Sequence, residues 1–113
     1  MTVEQQMPIR SYAEFWPYYV NAHRHPLTRA LHFIGTSLAI FCLVAVVVGM
    51  IDSWFLLAVP VIAYGFAWAA HFIVEKNTPA TFGHPLWSLV SDVRMIGLMC
   101  VGRMAKEVER TGL

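Results

Sequence analysis

Two long stretches without a charged residue dominate the pattern, residues 31–51 and 54–74, and only Asp52 and Ser53 separate them. At about 1.5 Å per residue, a helix over either run is long enough to cross a hydrocarbon core of about 30 Å. The short polar break predicts a turn, and so a two-span antiparallel hairpin. Pro26 suits the first turn of the first span, with His25 near its N-cap. Upstream, Ser11 and Glu14 have capping-box spacing and open a short segment rich in Tyr12, Phe15, Trp16, Tyr18 and Tyr19. Aromatics of that density beside a span belong at the membrane interface. Pro17 lacks a backbone donor and predicts a kink or a restart there. Residues 1–10 are polar and are expected to fray.

A third apolar stretch, about 86–104, is broken by Asp92 and Arg94 and weakened by Gly97 and Gly102. Ser88, Ser91, Asp92 and Met95 fall on one side at helical spacing, with Leu86, Leu89, Val93 and Ile96 spread over the other. This reads as an amphipathic helix, interfacial or re-entrant. The expected architecture is all-α: one membrane domain, 1–113, with an interfacial aromatic helix over 11–24, spans over 27–51 and 54–75, and an amphipathic third helix over 86–110.

Composition fits this reading. The chain is 58% apolar and 13% charged, with mean hydropathy +0.56, against about 45–50% and about 25% in ordinary soluble domains. A net charge of +1 gives no basic field of the kind nucleic acid requires, so the expected partner is lipid and not nucleic acid. Nothing in the pattern excludes a homo-oligomer. Cys42 and Cys100 form no C-x-x-C and read as small hydrophobes. Arg10, Arg24 and Arg29 precede the first span and Lys76 follows the second, while the intervening turn has only Asp52. The positive-inside rule therefore puts that turn outside, and the opposite span ends and both termini in the cytoplasm.

Those ends contain all five histidines. His32 lies 20 residues before Asp52 and His71 lies 19 after it, so two antiparallel helices would bring both imidazoles to one depth. His23, His25 and His84 lie in the adjoining polar segments. Membrane helices pack closely only through small residues. Gly35 and Ala39 share a stripe with His32, and Ala63, Ala67 and Ala70 form a matching one flanked by His71. The surfaces that pack therefore bring the histidines with them. His71 and Glu75 are one helical turn apart, and with His32 they make a two-histidine, one-carboxylate set of the kind that binds non-haem Fe(II). His23 and His84 are further candidate ligands, and Asp92 a carboxylate able to fix a ligand's tautomer. Zinc uses the same donors. A haem protein with His32 and His71 as axial ligands, and a non-catalytic membrane adaptor, are the rival readings.

The stretches FWPYYVNAHRHPLTRALHFIGT and YGFAWAAHFIVEKNTPATFGHPLWSLVSDVRM resemble the two signature blocks of the Mpo1-like membrane-protein family. The resemblance implies an iron enzyme that uses O2 to shorten a 2-hydroxy fatty acid by one carbon, with loss of CO2. It matches His23, His32 and His71 to the family's shared histidines, and Glu75, Asn77 and Pro79 to the run after the last of them. His25 stands where the family pattern has asparagine. Arg24, Arg29, Lys76 and Asn77 are the residues expected to meet the substrate's head group.

Overall fold

A computed structural model describes residues 9–112; the polar start expected to fray lies almost wholly outside them. The described residues are helical and include no strand. They form two compact units, one of residues 25–77 and the other of the segments flanking it, up to Arg24 and from Thr78.

In the unit of residues 25–77, α2 runs Pro26–Val47 after α1 of the other unit (Tyr12–Asn21). Pro26 opens α2, and His25 caps it by accepting from the Leu27 N–H at 3.0 Å. Asp52 ends the turn by accepting from Trp54 N. A 3-10 turn (Ser53–Leu57), α3 (Ala58–Ala69) and a π-helical turn (Ala70–Glu75) follow in sequence. Pro26–Val47 and Ser53–Glu75 are both long and apolar enough to cross a membrane. Cys42 meets the Phe55 carbonyl, His32 meets His71, and the His25 amide meets Glu75. The residues α2 buries are Thr28, His32, Gly35 and Ala39, a single stripe at helical spacing. Gly35 is required there: a Cβ on it would stand 2.5 Å from Phe66 Cβ. Phe66 thus fills the space opened by the glycine, beside the stripe of alanines. Large apolar side chains such as Phe41, Val47, Val61 and Ile73 face outward, as lipid-facing residues do.

The other unit has a core of large side chains: Phe15, Trp16, Tyr19, Val20, Met95 and Met104, with Ala80. Ser11 caps α1 by accepting from Glu14 N, while the Glu14 carboxylate accepts from Arg10 N, one residue before the cap. Pro17 lies inside α1, and the helix does not restart there. Where the pattern reads one helix over 86–110, the chain forms α4 (Pro85–Cys100) and α5 (Met104–Arg110), bent by 119°. Gly102, at φ +72°, supplies the left-handed residue that ends α4. The two faces of α4 separate as the spacing predicts: Ser88, Ser91 and Met95 are buried, Leu86, Leu89 and Val93 exposed.

Candidate functional site

His32 and His71 are 4% and 2% exposed, on helices whose outer faces are open, so their imidazoles belong to the interior. Their Nε2 atoms are 3.3 Å apart and the rings stand nearly perpendicular, at 81°. How the chain reaches this arrangement is local. The π turn at Ala70–Glu75 widens the helix end, a departure that recurs at functional sites. Lys76 then turns left-handed, at φ +58°, and sends Asn77 back over the turn. Asn77 donates its backbone N–H to the His71 carbonyl at 2.9 Å, and its Oδ1 accepts from His71 Nδ1 at 2.7 Å. With the proton held on Nδ1, the lone pair of His71 lies on Nε2, the atom that faces His32.

The other unit repeats this device. His23 is fully buried, and its Nδ1–H donates to the Tyr19 carbonyl at 2.6 Å, one turn back on α1. Its lone pair too is therefore on Nε2. The Tyr19 ring stacks on His23, with centroids 4.1 Å apart, and the Tyr19 hydroxyl donates to Asp92. Burial pushes the Asp92 carboxyl up to about 6, against the lowering effect of the Tyr19 bond. Burial also raises the Tyr19 phenol, and the neighbouring Asp92 adds to this.

The predicted site residues divide accordingly. His32 and His71 come together, and Asn77, expected to meet the substrate's head group, bonds His71. The Glu75 carboxylate accepts from the His25 amide at 2.6 Å, joining the end of the second span to the start of the first, and the Arg29 charge interacts with it. Lys76 and Arg24 are exposed, and Arg24 donates to Asn21 Oδ1 at 2.6 Å. His84 is stacked on Trp87 and edge-on to Phe15. Asp92 engages Tyr19, one residue removed from the imidazole it was expected to hold. Two residues that the sequence pattern did not connect with the histidines stand one helical turn from them. Tyr19 stands four before His23, and Thr28 four before His32; an i,i+4 search around each histidine finds both.

His32 and His71 stand close enough together to share a metal ion, and His23 is a third buried imidazole, in the other unit. An all-helical chain with two apolar helices of membrane-crossing length and buried imidazoles suited to a metal defines the class: a membrane protein with a candidate metal centre. The chain belongs to the Mpo1-like family, whose model, described as 2-hydroxy-palmitic acid dioxygenase Mpo1-like, matches residues 9–104. No curated protein and no solved structure matches it.

Proposed function

We propose that the chain is a membrane-embedded non-haem Fe(II) dioxygenase acting on 2-hydroxy fatty acids, with His23, His32 and His71 as the ligand set. The observation that carries this reading is the His32–His71 pair. Two ring nitrogens each about 2.1 Å from one ion lie about 3.0–3.4 Å apart when adjacent and about 4.2 Å apart when opposed. The 3.3 Å between the His32 and His71 Nε2 atoms falls in the adjacent range. It disfavours a haem held between the two imidazoles. The protonated Nδ1 of His71 and of His23 supports the same reading, since a ligand histidine characteristically gives its other nitrogen to a carbonyl or carboxylate oxygen.

The spans form an antiparallel hairpin in this reading, as the pairings of Cys42 with Phe55 and His25 with Glu75 favour. Its histidine-bearing end faces the cytoplasm with both termini. Glu75 ties the spans together beside the ligands, and His84 supports the aromatic cluster. Arg24, Arg29 and Lys76 supply the positive charge that draws in a carboxylate head group, while the acyl chain stays among the apolar side chains of the spans.

Bound Fe(II) supplies the electron-transfer chemistry that activates O2. The overall reaction balances as R–CH(OH)–COOH + O2 giving R–COOH + CO2 + H2O: the C1–C2 bond breaks and C2 becomes the new carboxyl carbon. The protein's part is to hold the imidazoles in the metal-binding tautomer and to keep bulk water from the site. Detergent-purified, iron-loaded protein in air is expected to convert 2-hydroxyhexadecanoate to pentadecanoate, and to do so neither without O2 nor after His32→Ala or His71→Ala. Unchanged substrate with iron-loaded, aerobic protein would overturn the assignment.

A further inference from the structure

Among the described residues, two buried side-chain oxygens have no hydrogen-bond partner, Thr28 Oγ1 and Ser88 Oγ. Thr28 is the more telling. It is fully buried, and it lies on the first turn of α2, one helical turn before His32 and on the same face. A threonine in a membrane helix ordinarily returns its hydroxyl proton to a carbonyl one turn back, because nothing else in an apolar medium satisfies it. Thr28 does not make that bond. An unsatisfied hydroxyl inside a folded protein needs a reason, and a ligand oxygen absent from the structure is a recurrent one.

We propose that Thr28 Oγ1 is the hydrogen-bond partner of the substrate's 2-hydroxyl, and that it is the residue by which the site selects 2-hydroxy acids over unsubstituted fatty acids. The proposal rests on the dioxygenase reading and deepens it. A fatty acid and its 2-hydroxy derivative share the same chain and carboxylate and differ in one polar group. A site that leaves a buried hydroxyl unpaired until that group arrives penalises the analogue lacking it, and such sites discriminate far more strongly than apolar pockets do. His32, one turn further along, offers its imidazole on the same face, so a single head group placed beside it lies within the reach of both side chains.

The test uses the full chain in detergent, metal-loaded and anaerobic so that no turnover intervenes. Equilibrium binding of 2-hydroxyhexadecanoate and of hexadecanoate is measured for the wild type, Thr28→Val, Thr28→Ala and Thr28→Ser, with metal content and the Tm of the metal-free protein recorded for each. Thr28→Val keeps the shape and removes the orphan hydroxyl, so its metal content should hold and its Tm should hold or rise. Its preference for the hydroxylated acid should fall about tenfold or more, Thr28→Ala should follow it, and Thr28→Ser should keep the preference. An unchanged preference in Thr28→Val and Thr28→Ala overturns the proposal while leaving the dioxygenase reading intact, and so does an equal loss for both acids, which would move the contact to the carboxylate. A metal-loaded wild type that binds neither acid overturns both.

Discussion

The two units solve the problem of an interior in opposite ways. In the flanking segments the core is Phe15, Trp16, Tyr19, Met95 and Met104, and three pairs of polar groups join it over long sequence distances: Trp16 Nε1 to Glu107, Tyr12 to Ser91, Tyr19 to Asp92. Burial of large apolar surface explains that unit as it explains a water-soluble domain. Residues 25–77 invert the arrangement. Their buried positions are Thr28, His32, Gly35, Ala39, Ala70 and His71, while Phe41, Val47, Trp54 and Val61 face out. Where the solvent is lipid, burying leucine gains little, so the interior is chosen for close approach and for polar chemistry. Trp16, Tyr12 and Tyr19 in the first unit are explained by what they anchor; Thr28 and His32 in the second ask what they bind.

The contrast predicts opposite sensitivities to changes of side-chain size. Phe15→Ala removes a fully buried ring from the large-residue core and should destabilise it by about 4 kcal/mol. Phe41→Ala, at a position 77% exposed on α2, should change stability by no more than about 0.5 kcal/mol in detergent. Thermal unfolding of the two variants compares the units directly, and a Phe41→Ala loss as large as that of Phe15→Ala would break the comparison. Enlargement should reverse the ranking. Gly35→Ala sets a methyl group 2.5 Å from Phe66 Cβ and should cost about 2 kcal/mol as the helices shift apart. Because His32 lies one turn from Gly35, metal affinity should fall in parallel. The double variant Gly35→Ala, Phe66→Ala should recover part of both, which a cycle of the four proteins measures.

How far the sequence revealed this depended on which interactions are periodic. The two charge-free runs, the nearly equal spacing of His32 and His71 from Asp52, and the Gly35–Ala39 stripe all follow from a regular helix and could be counted along the chain. The end of the second span could not. A π turn at Ala70–Glu75 and a left-handed Lys76 leave no mark in the hydrophobic pattern, and together they bring Asn77 back to His71. The contact of Asp92 with Tyr19 spans 73 residues, beyond any local rule. Thr28 can be found by counting one turn back from His32, but its interest lies in a bond it does not make, and only the folded structure reveals that.

A smaller effect separates the units by pH. Burial raises the Asp92 carboxyl from its ordinary 3.8 to about 6, so the folded protein holds that proton more tightly than the unfolded chain does. Stability from this group is fully present below about pH 3.8 and is lost as pH rises through about 6. Asp92→Asn keeps an oxygen for the Tyr19 hydroxyl and removes the buried charge. Its Tm should exceed that of the wild type by a few degrees at pH 8, and the gain should shrink at pH 5 and below. A gain independent of pH would mean that the charge of Asp92 is compensated within the fold.

The smallest expected change concerns Lys76, where the backbone lies in a region that side chains with a Cβ seldom occupy. Glycine adopts that conformation without steric cost, but it also has more freedom to lose on folding, so Lys76→Gly should stabilise by no more than about 1 kcal/mol. Lys76→Asn should act in the same direction, since asparagine tolerates the left-handed region and removes the same charge. If the turn exists to hold Asn77 against His71, both variants should retain the wild-type tautomer, with the proton on His71 Nδ1, as read from imidazole nitrogen shifts. A protein stabilised by Lys76→Gly whose His71 proton has moved to Nε2 would show that the strained lysine positions Asn77 through its side chain, and that backbone geometry alone does not orient the histidine.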